Sequence, residues 1–157
     1  MDSLNDWTLT FSPDGKHLVF AGICGGVTGI WLDGKAAPSD IPIASTNNQE
    51  SLYFSPDSRR LASAIKGSDG LLHWVVDGKA GPGTLVGLGR LSFSADSAHH
   101  AYVLPRAETK DIAIVVDHTI RATYAVVTCG PVFLADGTLE FLAVQNHSLF
   151  RFKVTGY

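Results

Sequence analysis

The sequence predicts an all-β protein, a β-propeller built from four units of about forty residues, each a four-stranded antiparallel blade. Three observations carry that expectation. The pattern apolar-x-Phe-x-x-Asp recurs at residues 9–14, 52–57 and 91–96, and again at 132–136 around Phe133. Its phenylalanines, Phe11, Phe54, Phe93 and Phe133, stand 43, 39 and 40 residues apart. Every copy leads into turn residues and then a short apolar run, and no stretch of the chain has helical periodicity.

Each unit has the same order of elements. The motif phenylalanine closes a first strand, and Ser12-Pro13-Asp14-Gly15, Ser55-Pro56-Asp57-Ser58, Ser94-Ala95-Asp96-Ser97 or Leu134-Ala135-Asp136-Gly137 reverses the chain. Proline presets φ, the aspartate caps nearby backbone N–H groups, and glycine tolerates positive φ. Asp14, Asp57, Asp96 and Asp136 are therefore read as structural turn residues. Return strands follow at 17–21, 60–64, 99–103 and 139–143, and third strands at 29–32, 72–76, 112–116 and 149–154. Asp33, Asp77 and Asp117 end three of these as further turns, which predicts weaker fourth segments around 41–44, 84–86 and 124–127. The units run approximately over 2–34, 35–78, 79–118 and 119–157 of a single repeat domain.

Residues 2–4 fall in the register of a fourth-strand segment, so they could pair with the last strand and remove an open edge. Three arrangements suit four units: a closed four-bladed ring, half of an eight-bladed ring completed by a second chain, or part of a longer array.

Composition narrows the function classes. The 157 residues are 45% hydrophobic and 17% charged, enough to bury a sizeable core. A formal charge of −3 offers no basic footprint, so nucleic acid is not an expected partner. No stretch reads as a membrane span, and residues 1–6 do not read as a secretory signal. Cys24 and Cys129 form no metal motif and are expected as free thiols, buried or half-buried. A disulfide between them would instead indicate ring closure.

The combination Phe11-Ser12-Pro13-Asp14-Gly15-Lys16-His17-Leu18, then 75–82 with Val75-Val76-Asp77-Gly78-Lys79, then Gly130-Pro131-Val132-Phe133 resembles the TolB-type, WD40-like β-propeller repeats of bacterial proteins. The third repeat departs from it at Ala95, His118 and Thr119, and the fourth lacks the second aspartate, with Phe152-Lys153-Val154 near that position. The resemblance implies a propeller that serves as a platform for protein contacts, in the periplasm or the cytoplasm. Similar repeats also accompany catalytic domains, and none accompanies them in this sequence.

No catalytic signature emerges. The serines at 12, 55 and 94 belong to turns, and no Gly-x-Ser-x-Gly elbow occurs. The glycine-rich stretch 22–29 precedes a strand, whereas a phosphate loop needs a helix N-terminus. The six histidines have no zinc spacing, so neither a metal nor a cofactor is expected. By counting from the motif aspartate, His100 shares a position with Leu18, Leu61 and Glu140, which predicts a solvent- or channel-facing site, or alternatively a buried His–Glu contact. Recognition is expected on the loops opposite the aspartate turns, at Asn48, Glu50, Lys66, Asp69, Arg106, Glu108, Gln145 and His147. The expected function is a non-catalytic module contacting another protein through this face, with self-association into a two-chain ring as a further possibility. The alternative is a small-molecule or carbohydrate-binding propeller, potentially a hydrolase, whose ionisable loop residues converge in a pocket. Trp7, Trp31 and Trp74 are the large anchors, at least two of them expected between blades.

Overall fold

The computed structural model describes residues 8–24, 26–39, 43–46 and 52–157, with the side chains of 8, 23, 24, 28 and 43–46 left undescribed. Among them there are sixteen strands and no helix. The chain divides into two compact units, 1–81 and 82–157.

The first unit holds two sheets. β1 (Thr8–Phe11), β2 (Leu18–Cys24), β3 (Val27–Leu32) and β4 (Lys35–Ala36) lie side by side in chain order. In the second sheet, β5 (Ile43–Thr46) and β6 (Leu52–Phe54) both pair with β7 (Leu61–Gly67), which is followed by β8 (Leu72–Val76) and β9 (Lys79–Ala80). Alternation places Val19, Ala21 and Ile30 of the first sheet against Leu52, Ile65 and Val75 of the second. Their burial is the main stabilising term here, about 1.5–3 kcal/mol for each large apolar side chain.

The second unit repeats the plan. β10 (Ser92–Phe93), β11 (His100–Arg106), β12 (Asp111–Val116) and β13 (Thr119–Tyr124) form its first sheet. β14 (Val126–Phe133), β15 (Leu139–Gln145) and β16 (Ser148–Val154) form its second. Ala101, Ile114 and Val116 face Leu139, Phe141 and Ala143. Phe141 and Phe152 stack at 5.2 Å, with Tyr124 against both rings.

Fourth strands differ from expectation. They follow the second turn directly, as β4, β9 and β13, because an Asp-Gly or Asp-His pair with both residues at positive φ makes a two-residue hairpin. The segments expected in that role belong to the next sheet instead. Ile43 pairs with Gly67, the Thr84 hydroxyl donates to the Pro105 carbonyl, and Val126 pairs with Val144.

The first-turn aspartates act as expected, and the serine two residues earlier is an equal part of the turn. Ser12, Ser55 and Ser94 are buried. Each hydroxyl donates to its aspartate at 2.6 Å and accepts the N–H of His17, Arg60 or His99 at 2.9 Å. The hydroxyl of Ser12 and the N–H of Lys16 hold the Asp14 carboxyl at about 2, below the usual 3.8.

Candidate functional site

A second carboxylate staple recurs in three of the four sheets. Asp33 accepts the Leu18 N–H at 2.9 Å and pairs with His17 at 2.8 Å. Asp77 accepts the Leu61 N–H at 3.0 Å and pairs with Arg60 at 2.7 Å. Asp117 accepts the His100 N–H at 3.1 Å and pairs with His99 at 2.6 Å. These turn aspartates thus tie strand three back to the start of strand two, a role hidden from the sequence by seventeen or so intervening residues. Burial opposes ionisation of Asp117, but His99 and the His100 N–H outweigh it and its pKa is lowered.

His100 is buried, contrary to the solvent- or channel-facing expectation, and no His–Glu contact forms. Its Nδ1 lies 3.3 Å from Asp117, and its ring lies 4.6 Å from that of His118. Among the described residues, no group of three or more His, Cys, Asp or Glu side chains is placed to hold a metal.

Of the loop residues expected to mediate recognition, Asn48 and Glu50 lie outside the described residues. The others are held by local structure. Asp69 caps the Leu71 N–H and contacts His73 at 3.0 Å, while His73 also reaches the Gly81 carbonyl. Lys66 is exposed on β7. Arg106 grips Asp111 through two hydrogen bonds, 2.7 and 2.5 Å, and Thr109 adds a third. The pair fixes both charges: Arg106 is shifted up, and Asp111 is held at about 2. Neither group is poised to exchange a proton near neutrality. Glu108 is exposed in the same loop, beside the Arg106 charge. Gln145 ends β15, and Asn146-His147 forms another two-residue turn with both φ positive. Beside this loop the structure exposes two residues the sequence reading did not single out, Leu85 (68%) and Val86 (58%).

An open groove of about 350 Å³ lies elsewhere, on the outer face of β14–β16. None of the expected recognition residues lines it; Cys129, Val132, Leu142, Glu140 and Arg151 do. Cys129 is an exposed free thiol there, not the buried or half-buried one expected. The Cys24 side chain and Trp7 are outside the described residues. Trp74 is buried and Trp31 half-buried, stacked on Phe20.

Glu140 reaches this groove because the fourth turn is one residue short. Ser12, Ser55 and Ser94 each close a turn by bonding the carbonyl five residues on, whereas the Leu134 N–H bonds that of Thr138, four residues on. Phe133 consequently pairs with Leu139, and Glu140 faces the opposite side from His100. By strand pairing its counterparts are Val19, Ala62 and Ala101. Arg151 likewise replaces Ile30, Trp74 and Ile114, and Lys153 replaces Leu32, Val76 and Val116. Three apolar blade-packing positions have become an ion cluster. Arg151 contacts both Glu140 oxygens at 2.7 Å, and Lys153 lies 3.2 Å away.

No family model and no curated protein matches the chain. Among solved structures, the putative TolB from Agrobacterium tumefaciens aligns with a TM-score of 0.51 and 18% identity, over 94% of this chain and 57% of that one. U3-55K aligns with a TM-score of 0.48 and 14% identity, over 97% of this chain and 53% of that one. The chain thus spans little more than half the length of either protein. The first likeness, joined to four successive antiparallel sheets packed face to face within their units, establishes the fold: this chain is an array of TolB-like β-propeller blades.

Proposed function

We propose that the chain is a non-catalytic propeller module that contacts another protein through its loop side. One observation carries the reading: on the loop side of the second unit, Leu85 and Val86 are exposed, while the Thr84–Pro105 hydrogen bond sets them beside Arg106. Apolar side chains rimmed by fixed charges suit a protein interface, and the Arg106–Asp111 pair presents the guanidinium at little entropic cost. Leu85→Asp with Val86→Asp tests this, because both positions are exposed and the fold tolerates the change. A partner captured from the source organism by the wild type is to be lost by this variant and kept by Lys16→Glu. Equal capture by all three, or none by the wild type, refutes the reading.

Self-association is the second component of the proposal. It is favoured by the exposed Leu9 and Phe11 of the first sheet and Val126 and Val132 of the last. Light scattering on the 16.7 kDa chain distinguishes one copy from two at about 33 kDa, twice that mass.

A further inference from the structure

The two outermost sheets each expose a blade face that the inner sheets bury. On the first sheet, pairing of Leu9 with Phe20, Phe11 with Leu18 and Phe20 with Trp31 puts these five side chains on one face. The same face of the second sheet carries Leu52, Phe54, Leu61, Ile65 and Val75, and it is packed against the first sheet. What such a face accepts is therefore visible within the chain: the opposite face of another blade. The first sheet's copy is open, with Phe11 61% exposed.

The last sheet exposes the opposite face. It differs from its counterparts by the cluster of Glu140, Arg151 and Lys153, ringed by Val132 and Leu142. Terminal repeats of arrays often carry a polar outer face for solvent. A purely solvating cap has no need of the exposed apolar groove that surrounds these charges, with Val132 51% exposed. The first sheet departs from its own counterpart in a matching sense, carrying Phe20 and Trp31 where the second sheet has Ser63 and Val75. Stacked aromatic rings are attractive to a guanidinium or ammonium group. Arg151 can lay its plane on a ring while its edge remains bonded to Glu140.

We propose that the first sheet's aromatic face of one copy receives the last sheet's cationic face of a second copy, a heterologous contact made twice in a two-chain assembly. The proposal rests on the self-association reading and names its surfaces. It differs from an isologous dimer, in which one patch meets itself.

Complementation between two damaged chains tests it. Phe11→Asp spoils the aromatic face and Val132→Asp the cationic face; both positions are exposed, and circular dichroism of each variant verifies its strands. Each variant alone is to run as a single copy, and an equimolar mixture is to recover a two-copy species through the one undamaged contact. The double change Arg151→Gln, Lys153→Gln is to weaken wild-type self-association about tenfold, as loss of roughly one strong cation–aromatic contact requires. If the wild type self-associates but the mixture recovers nothing, or the glutamine variant associates as tightly as the wild type, the heterologous pairing is wrong while self-association stands. A wild type of single-chain mass at every concentration overturns both.

Discussion

Ser94→Ala is the most direct test of how the first turns are held. The Ser94 hydroxyl is buried, donates to Asp96 at 2.6 Å and accepts the His99 N–H at 2.9 Å. Alanine removes both bonds and strands the His99 N–H in a site with no room for compensation by the methyl group. A buried donor left unmade costs about 1–3 kcal/mol, so the expected loss is about 2 kcal/mol. For a chain of this size that lowers the melting temperature by about 4–8 °C. The carboxyl of Asp96 provides an independent reading. Its pKa is lowered first by the Ser94 hydroxyl and then by the Ala98 N–H, so removal of the hydroxyl moves it up toward 3.8. The sign of the pH effect follows. A folded-state pKa below the unfolded value adds stability above pH 3.8 that disappears as pH falls through the folded value. The variant has less of it to lose, so the gap between wild type and variant narrows on acidification. Thermal melts and carboxyl NMR titration measure the two effects. A stability loss under about 0.5 kcal/mol, well below the cost of an orphaned buried donor, or an unmoved Asp96 titration refutes the account.

Three further outcomes are expected. His147→Gly stabilises by about 0.5–1 kcal/mol in urea titrations, because His147 is exposed at φ 61° in a two-residue turn that glycine fits without strain; an unchanged midpoint counts against a strained turn. Gly89→Ala destabilises by about 1–3 kcal/mol, since its new Cβ meets Val103 Cγ2 at 2.0 Å and the Val103 carbonyl at 2.9 Å, whereas Gly130→Ala meets nothing within 4 Å and is near neutral; equal stabilities contradict the packing. Arg106→Ala releases Asp111 from about 2 toward 3.8, so the variant loses folded-state stability at a higher pH on acid titration; coincident acid profiles show that the pair does not hold the loop.

What was legible in the sequence is what repetition records. Four motif phenylalanines and their aspartates announced the blades, and alternation placed the buried side chains. Recognition of the turn aspartates also succeeded, since short-range capping depends on neighbours two residues away. Contacts spanning a strand pair were not legible. The Asp33, Asp77 and Asp117 staples need strand two and strand three in register, and nothing in the local composition around His17, Arg60 or His99 announces it. The expected recognition loops were located by topology, yet Asp69 and Arg106 proved committed to His73 and Asp111, partners visible only once the hairpins close.

The fourth unit shows why counting along a repeat fails at its most informative place. Measuring four residues from Asp136 puts Glu140 beside His100, and the inference of a buried polar pair follows naturally. The turn after Leu134 is one residue shorter than the others, so strand pairing starts at Leu139. A slip of one residue sends every side chain of β15 to the other face. Leu139, Phe141 and Ala143 thereby fill the core, as residues of that polarity must, and Glu140 moves outward to meet Arg151 and Lys153. The apolar pattern of β15 already contained this answer: only the Leu139 register buries three hydrophobic residues without also burying a carboxylate, whose desolvation costs several kcal/mol unless it is paired. Burial energetics outranks motif spacing wherever the two disagree. Applied to the last sheet, that rule turns an apparent flaw in the repeat into a surface whose charges are placed on the outer face of the array.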